Sequence, residues 1–210
     1  MNSIVSVAPQ QIKGIVLNAV ASGESHRRYT LFSAREGLQS ALFRIRAKKG
    51  APPAPDFFDL VELSLRQPSS ITSIPFAKEG DCLILRKRTE LGADHNRFLA
   101  ASGISRLFLD NAIHLLEPAS MFTLLENSLD ALIAGGNATI IRFKTLFVFA
   151  RNEGHPVKQA WMTELDSSMR KSAEIILGKT VAELGDGPKH SSQLLQSLSR
   201  WLNSETEFIC

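Results

Sequence analysis

The sequence is poor in the residues that carry most protein chemistry. Two cysteines in 210 residues, Cys82 and Cys210, exclude a disulfide scaffold and any thiolate metal cluster. The five histidines, His26, His95, His114, His155 and His190, are scattered with no zinc-ligand spacing. No apolar run approaches the roughly 20 residues that span a bilayer. Met1 to Gln11 lacks a basic start followed by a long apolar stretch, so neither a signal peptide nor a transit peptide is legible. The expectation is a cytoplasmic protein without a membrane segment, in which the Asn137-Ala138-Thr139 triplet meets no glycosylation machinery. Catalytic motifs are equally scarce. Neither a Gly-x-Ser-x-Gly elbow nor a His-Glu-x-x-His helix occurs, and Gly178-Lys179-Thr180 has Ala173 where a phosphate loop needs its first glycine. These absences point away from an enzyme and from any metal or cofactor.

What is present is an ordinary globular composition, 44% hydrophobic and 21% charged, in a chain long enough for two domains of about 100 residues. The formal net charge is +3, but it is unevenly placed. Residues 1–92 hold 13 Lys+Arg against 8 Asp+Glu, whereas residues 93–210 hold 11 against 13. A basic first half suits a module facing a polyanion, although uneven placement of solvated charge would give the same count.

The hydrophobic period changes at the same place. From Ile12 to Thr89, short apolar runs alternate with turn residues. Residues 58–66 are the clearest strand, with Val61, Leu63 and Leu65 alternating with Glu62, Ser64 and Arg66. Ile12–Val20, His26–Ser33, Leu38–Ala47 and Cys82–Thr89 are the other predicted strands. Five strands in so few residues suit a small closed barrel of the OB type, which leaves no exposed edge. After Gly92 the spacing is helical. Asp94 is a predicted N-cap for a helix carrying Phe98, Ala101, Ile104, Phe108, Ala112 and Leu115, stopped by Glu117-Pro118. Further helices are expected from Ser120 to Gly135, over Ile140–Ala150 as the buried central helix, and over Ser167–Leu177 and Ser191–Leu202. The predicted fold is therefore α+β in two domains, an OB-fold barrel over 1–92 and an all-helical domain of four or five helices over 93–210.

Binding features are richer than catalytic ones. Lys13, Arg27, Arg28, Arg35, Arg44, Arg46, Lys48, Lys49, Arg66, Arg86, Lys87 and Arg88 all lie in the basic half, several alternating with apolar residues. Arg44 and Arg46 bracket Ile45 and so project away from Phe43 and Ile45. A barrel wall lined with cations is a common platform for single-stranded nucleic acid, where phosphates supply affinity and rings accept stacked bases. Tyr29, Phe32, Phe57 and Phe58 are the available rings, and a strand Phe is more often core than platform.

Several stretches, in order, carry a resemblance: Gly23-Glu24-Ser25-x-Arg27-x-x-Thr30-Leu31-Phe32-Ser33, then Gly37, Ala47-Lys48-Lys49-Gly50-Ala51, Phe58 with Leu60-Val61-Glu62-Leu63-x-Leu65, and Arg142-Phe143-x-x-Leu146. Across about 150 residues the sequence resembles the RecO family of bacterial recombinational repair proteins. The resemblance implies an N-terminal OB domain and a C-terminal helical domain. It implies a non-enzymatic mediator that binds single- and double-stranded DNA (ssDNA and dsDNA), anneals strands, and works with RecR to load RecA onto DNA covered by single-stranded DNA-binding protein (SSB). The matching positions make Arg27, Lys48 and Lys49 DNA contacts, to which strand geometry and charge add Arg35, Arg44 and Arg46.

Family members also dock the acidic, Phe-terminated SSB tail in an apolar groove of the helical domain. Arg142 is the implied partner of its carboxylate. Phe143 and Leu146 either line the slot or pack in the core, and Phe143 fits the core better. Two departures stand out. Many relatives carry a four-cysteine zinc ribbon after this region, where Asn152-Glu153-Gly154-His155-Pro156-Val157-Lys158 contains no cysteine. The basic run that often follows the Lys-Gly loop is replaced by Pro52-Pro53-Ala54-Pro55. A different lineage of function, an OB-fold protein–protein adaptor that has lost DNA binding, fits that replacement.

Overall fold

The computed structural model describes residues 9–45, 53–66, 74–115 and 117–209. The chain divides into two compact units, Met1–Arg88 and Thr89–Cys210. Sheet and helix segregate between them, giving an α+β protein.

Among the described residues, the first unit forms a curled, mixed six-stranded sheet: β1 (Gln10–Ala21), β2 (His26–Ser33), β3 (Gly37–Arg44), β4 (Leu60–Leu65), β5 (Phe76–Ala77) and β6 (Cys82–Arg86), in the order β5-β3-β2-β1-β4-β6. β1, β2 and β3 form an antiparallel meander, with Gly23 (φ 73°) and Gly37 (φ 67°) taking the left-handed backbone at its two turns. β5 runs parallel to β3, pairing Leu42 with Phe76 and Phe43 with Ala77. An isolated antiparallel bridge then joins Arg66, just past β4, to Phe76. β4 therefore meets β6 along Leu60–Leu63 and β5 at Arg66, so β5 and β6 act as one strand interrupted by a 3-10 turn. The pairing runs in a circuit from β1 through β2, β3, β5 and β4 back to β1.

Alternation decides what faces inward. Ile12, Val16, Tyr29, Leu31, Phe43, Val61, Leu63 and Leu65 form one buried cluster, with Ala41 and Ala77 between them. β1 is bulged between Val16 and Asn18, and at that irregularity Phe58 and Asp59 reach in. Phe58 N donates to the Val16 carbonyl at 2.8 Å, and Val16 N donates to the Asp59 carbonyl at 3.0 Å. Phe58 holds a left-handed backbone (φ 69°), uncommon for a bulky residue and kept in place by these contacts. Arg88, 1% exposed, secures the same turn by donating from Nη1 to the Phe58 carbonyl at 2.9 Å, while its own N–H reaches Asp59 Oδ1 at 3.3 Å. Arg88 thus belongs to the interior and not to the basic surface on which charge alone would place it.

Among the described residues, the second unit has seven α-helices: α1 (His95–Asn111), α2 (Pro118–Ile133), α3 (Ala138–Asn152), α4 (Trp161–Glu164), α5 (Ser167–Gly178), α6 (Val181–Leu184) and α7 (Ser191–Glu205). Asp94 caps α1 by accepting the Arg97 N–H at 2.8 Å. Asn137 caps α3, accepting from Thr139 N and Ile140 N, which gives the glycosylation-like triplet a structural role. The first helical run ends earlier than its apolar spacing predicts, at Asn111, with a 3-10 turn over Ala112–His114. Pro118 opens α2 instead of merely ending what precedes it, since the first helical turn needs no N–H from that residue. The one-turn helices α4 and α6 exceed the predicted count; α6 is closed by a Thr180–Glu183 capping box. None of the described helices is long and apolar enough to cross a membrane.

α3 is the centre of this unit. Ile140, Ile141, Phe143, Thr145, Leu146, Phe147, Phe149 and Ala150 are all buried. Phe143 and Phe147 pack on Trp161, and Phe149 meets Phe108 and Phe208 edge-on. Removal of the buried Arg88 guanidinium by Arg88→Ala is expected to cost about 1–3 kcal/mol, because it strips the Phe58 carbonyl of a donor inside the fold. Urea unfolding measures it, and an unchanged midpoint would show the Phe58 turn to be self-supporting.

Candidate functional site

The sequence-predicted cations fall into three groups. Arg27 and Arg44 lie at the end of the β2–β3 hairpin where His26 pairs with Arg44. Arg35 sits at the opposite end, in the turn beyond Ser33, roughly 20 Å away at the rise of a strand. It is 90% exposed at the side chain, 3.8 Å from Glu36. Arg46, Lys48 and Lys49 lie outside the described residues. The segments flanking them are anchored to β2 and its preceding turn: Ile45 N donates to the Ser25 carbonyl at 2.8 Å, and the Tyr29 hydroxyl donates to the Pro55 carbonyl at 3.0 Å.

Pairing register separates the cations further. Arg27 pairs with Phe43 and shares the core-facing side with Tyr29, so it stands at the rim of the inward face. There its charge opposes the effect of burial, which raises the Tyr29 phenol above its ordinary pKa. Arg28, opposite Leu42, and Arg44, opposite His26, share the outer side. Residues diagonal across an antiparallel pair are about 7–8 Å apart, within reach of one polyanion. Neither guanidinium has a hydrogen-bond or ion-pair partner among the described residues.

The outer row continues across strands. Val20 pairs with Arg28, Arg28 with Leu42, Leu42 with Phe76, and Phe76 with Arg66. Val20 and Phe76 are 44% and 37% exposed, which places an accessible ring between cations. Arg66 is partly neutralised by Asp81 at 3.6 Å. Sequence reasoning missed Phe76, because nothing in a two-residue strand announces its register. Of the four rings it did consider, Tyr29, Phe32 and Phe58 are buried and only Phe57 is exposed.

In the helical unit, Arg142 and Leu146 line one cavity, of about 150 Å³, with Ile104, Leu107, Leu195 and Ile209 as its other apolar walls. Phe143 does not line it; fully buried, it packs behind against Phe147 and Trp161. Gly103 explains how Arg142 reaches the cavity. A Cβ there would stand 3.2 Å from Arg142 Nε, so the guanidinium lies across α1 in the space that a side chain would occupy. The Arg142 side chain is exposed and has no hydrogen-bond or ion-pair partner among the described residues.

Lys144, two residues beyond Arg142 on α3, is occupied elsewhere. Its Nζ donates to the carbonyls of Ile176 at 2.7 Å and Lys179 at 2.5 Å, satisfying the C-terminal end of α5. Burial lowers its pKa, and the ammonium belongs to this cap rather than to the groove. The other wall of the cavity is held by the C-terminal strap. Asn111 Nδ2 donates to the Ile209 carbonyl at 2.8 Å and Ile209 N donates to Asn111 Oδ1 at 2.9 Å. Phe208 is buried against Phe149 and His155.

The stretch from Asn152 to Lys158 is a tight turn with Gly154 at φ 88°, His155 N returning to the Ala150 carbonyl at 3.0 Å. No group of three His, Cys, Asp or Glu that could hold a metal occurs among the described residues. Burial and the Asp59 charge push the Cys82 thiol up to about 11, an unreactive value. No protein-family model matches the chain, and no curated protein is significantly similar to it.

Gly103 costs helix stability, and Arg142 is flexible enough to yield to a methyl group. Gly103→Ala is therefore expected to raise stability by about 0.5–1 kcal/mol while displacing Arg142 from α1. Chemical denaturation measures the gain; a loss would mean that the guanidinium is held rigidly.

Proposed function

We propose that the protein is a RecO-like DNA repair and recombination mediator. In this reading it works in the cytoplasm, binds ssDNA and dsDNA, anneals complementary strands, and helps load RecA onto SSB-covered ssDNA together with RecR. The observation that carries it is the outer row of β2, β3 and β5, where unpaired Arg28 and Arg44 flank Leu42 and the exposed Phe76. Cations next to an accessible ring are what a phosphate backbone with stackable bases requires. The pairing circuit β1-β2-β3-β5-β4 supports reading the sheet as an OB-type barrel, whose β2–β3 face is its customary nucleic-acid platform.

Annealing follows from contacts of this kind. Phosphates held without base readout leave the base edges free to pair, and a wall that neutralises backbone charge lets two strands approach. Arg27 and Lys48 are the RecO-matching contacts, and Arg28 and Arg44 extend the same end of the hairpin. Fluorescence anisotropy with oligodeoxythymidine tests the reading. Binding should weaken steeply with salt, and Arg28→Ala/Arg44→Ala should flatten the log–log slope by about 1.4, at about 0.7 per lost single-strand phosphate contact. Salt-independent binding, or none at low salt, overturns the reading.

The cavity at Arg142 supports the second half of the proposal, docking of the SSB tail. Its apolar walls suit a terminal ring and its unpaired guanidinium suits a carboxylate. The same cavity favours the second reading, a protein–protein adaptor that has lost DNA binding. Pulldown of SSB by the wild type and not by Arg142→Ala, with no DNA signal, would select the adaptor.

A further inference from the structure

The circuit of strand pairing leaves one strand outside it. β6 pairs with β4 and with no other described strand, so it ends the sheet. The phase of its free side follows from its neighbours. Val16 bonds toward the Phe58–Asp59 turn that leads into β4, and Arg66 exchanges both of its backbone bonds with Phe76. Alternation between those two points makes Glu62 a residue of β4 that bonds toward β6, where it stands opposite Leu83. The N–H and C=O groups of Cys82 and Ile84 therefore point away from the sheet, and no described residue takes them up. Leu83 and Leu85 are exposed, and at 59% Leu83 is the most exposed large apolar side chain described in the first unit. Sheet edges are ordinarily guarded by charge or proline. From Cys82 to Leu85 this one has neither, its one irregularity being the extra residue Leu85 where β6 passes Leu60.

We propose that β6 is a docking edge for a second copy of this chain, the two strands pairing antiparallel about a two-fold axis at Ile84. Charge selects both the partner and the register. Centred on Ile84, the pairing sets Leu83 against the copy's Leu85 and Asp81 against the copy's Lys87, each of them twice. Centred on Leu83 or Cys82, it would set the Asp81 carboxylate against a leucine. Asp81 spends Oδ2 on the Lys78 N–H at 3.1 Å and on Arg66 at 3.6 Å. Lys87 is exposed and has no hydrogen-bond or ion-pair partner among the described residues, so a copy supplies the counter-charge that it lacks. At the axis, the outward groups of Ile84 meet their own equivalents, which makes Leu83 and the copy's Leu85 a non-hydrogen-bonded pair. Side chains approach most closely in such pairs, and four leucines then cover one another. A foreign strand would need the same order of leucine and charge; the copy has it by symmetry.

Sedimentation velocity of the full chain over a range of concentrations tests the proposal. The wild type is expected to dimerise reversibly, and Lys87→Glu to weaken the dimer about two- to thirtyfold, because each cross-strand pair is lost twice. Leu83→Lys should weaken it at least as far, and circular dichroism checks that each variant stays folded. Cross-linking reads the register. In a Cys82→Ala/Cys210→Ala background, chains carrying Leu83→Cys and chains carrying Leu85→Cys should form a mixed disulfide when combined and little disulfide with themselves. A dimer indifferent to Leu83→Lys, or one without the mixed disulfide, has its interface elsewhere and overturns the proposal. So does a wild type that stays monomeric. Amide hydrogen exchange then says what takes the edge: protection at Cys82 and Ile84 assigns it to another part of this chain, and free exchange leaves it to a different protein.

Discussion

A helix buried on nearly every side must find an exit for each of its charges, and in α3 that constraint shapes the whole helical unit. Eight of its residues are interior, so a charged side chain has only the gaps between neighbouring helices in which to lie. Lys144 leaves toward α5 and replaces lost water with two carbonyls. Arg142 leaves toward α1, where Gly103 gives it room but no partner. One charge is consumed by the fold and the other is left available. Five apolar residues line the cavity beside the available one, so an exposed guanidinium without a partner stands next to an apolar wall.

The β unit distributes its charges by a different rule. A strand buried on one face sends alternate side chains outward, so Tyr29 and Leu31 in the core oblige Arg28 to stand on the wall, and Phe43 in the core does the same for Arg44. The parallel pairing of β5 with β3 then brings Phe76 into the same row. Neighbouring Arg27 has the other phase and ends at the rim beside Tyr29. Adjacent arginines in the sequence therefore reach different sides of the sheet, and the same periodicity separates a wall position from a rim position.

This explains what could and could not be read from the chain alone. β2 and the alternation of β4 were legible because each is a local period of two over several residues. The caps of α1 and α5 were within reach for the same reason, since Asp94 and Asp166 act on residues two or three positions away. β5 was not legible: two residues carry no period, and their pairing with β3 is a contact between segments more than thirty positions apart. Arg88 looked like one more surface cation because composition counts charge and cannot see the Phe58 carbonyl it supports. The same blindness hid Phe76, whose place beside Leu42 and Arg66 comes from the pairing that the fold sets up.

Gly103 is where the cost of the groove is visible in the sequence. A glycine in the interior of a helix gives up about 1 kcal/mol relative to alanine, and α1 recovers none of it through a turn or a left-handed backbone. Nothing in the packing of α1 requires the missing side chain except the guanidinium laid over it. A protein selected only for stability would fill that position, since the methyl group fits once a flexible side chain shifts by a few tenths of an ångström. The vacancy makes sense if the position of Arg142 matters more than the helix does. That links the least conspicuous residue type in the sequence to the one unpaired cation of the central helix.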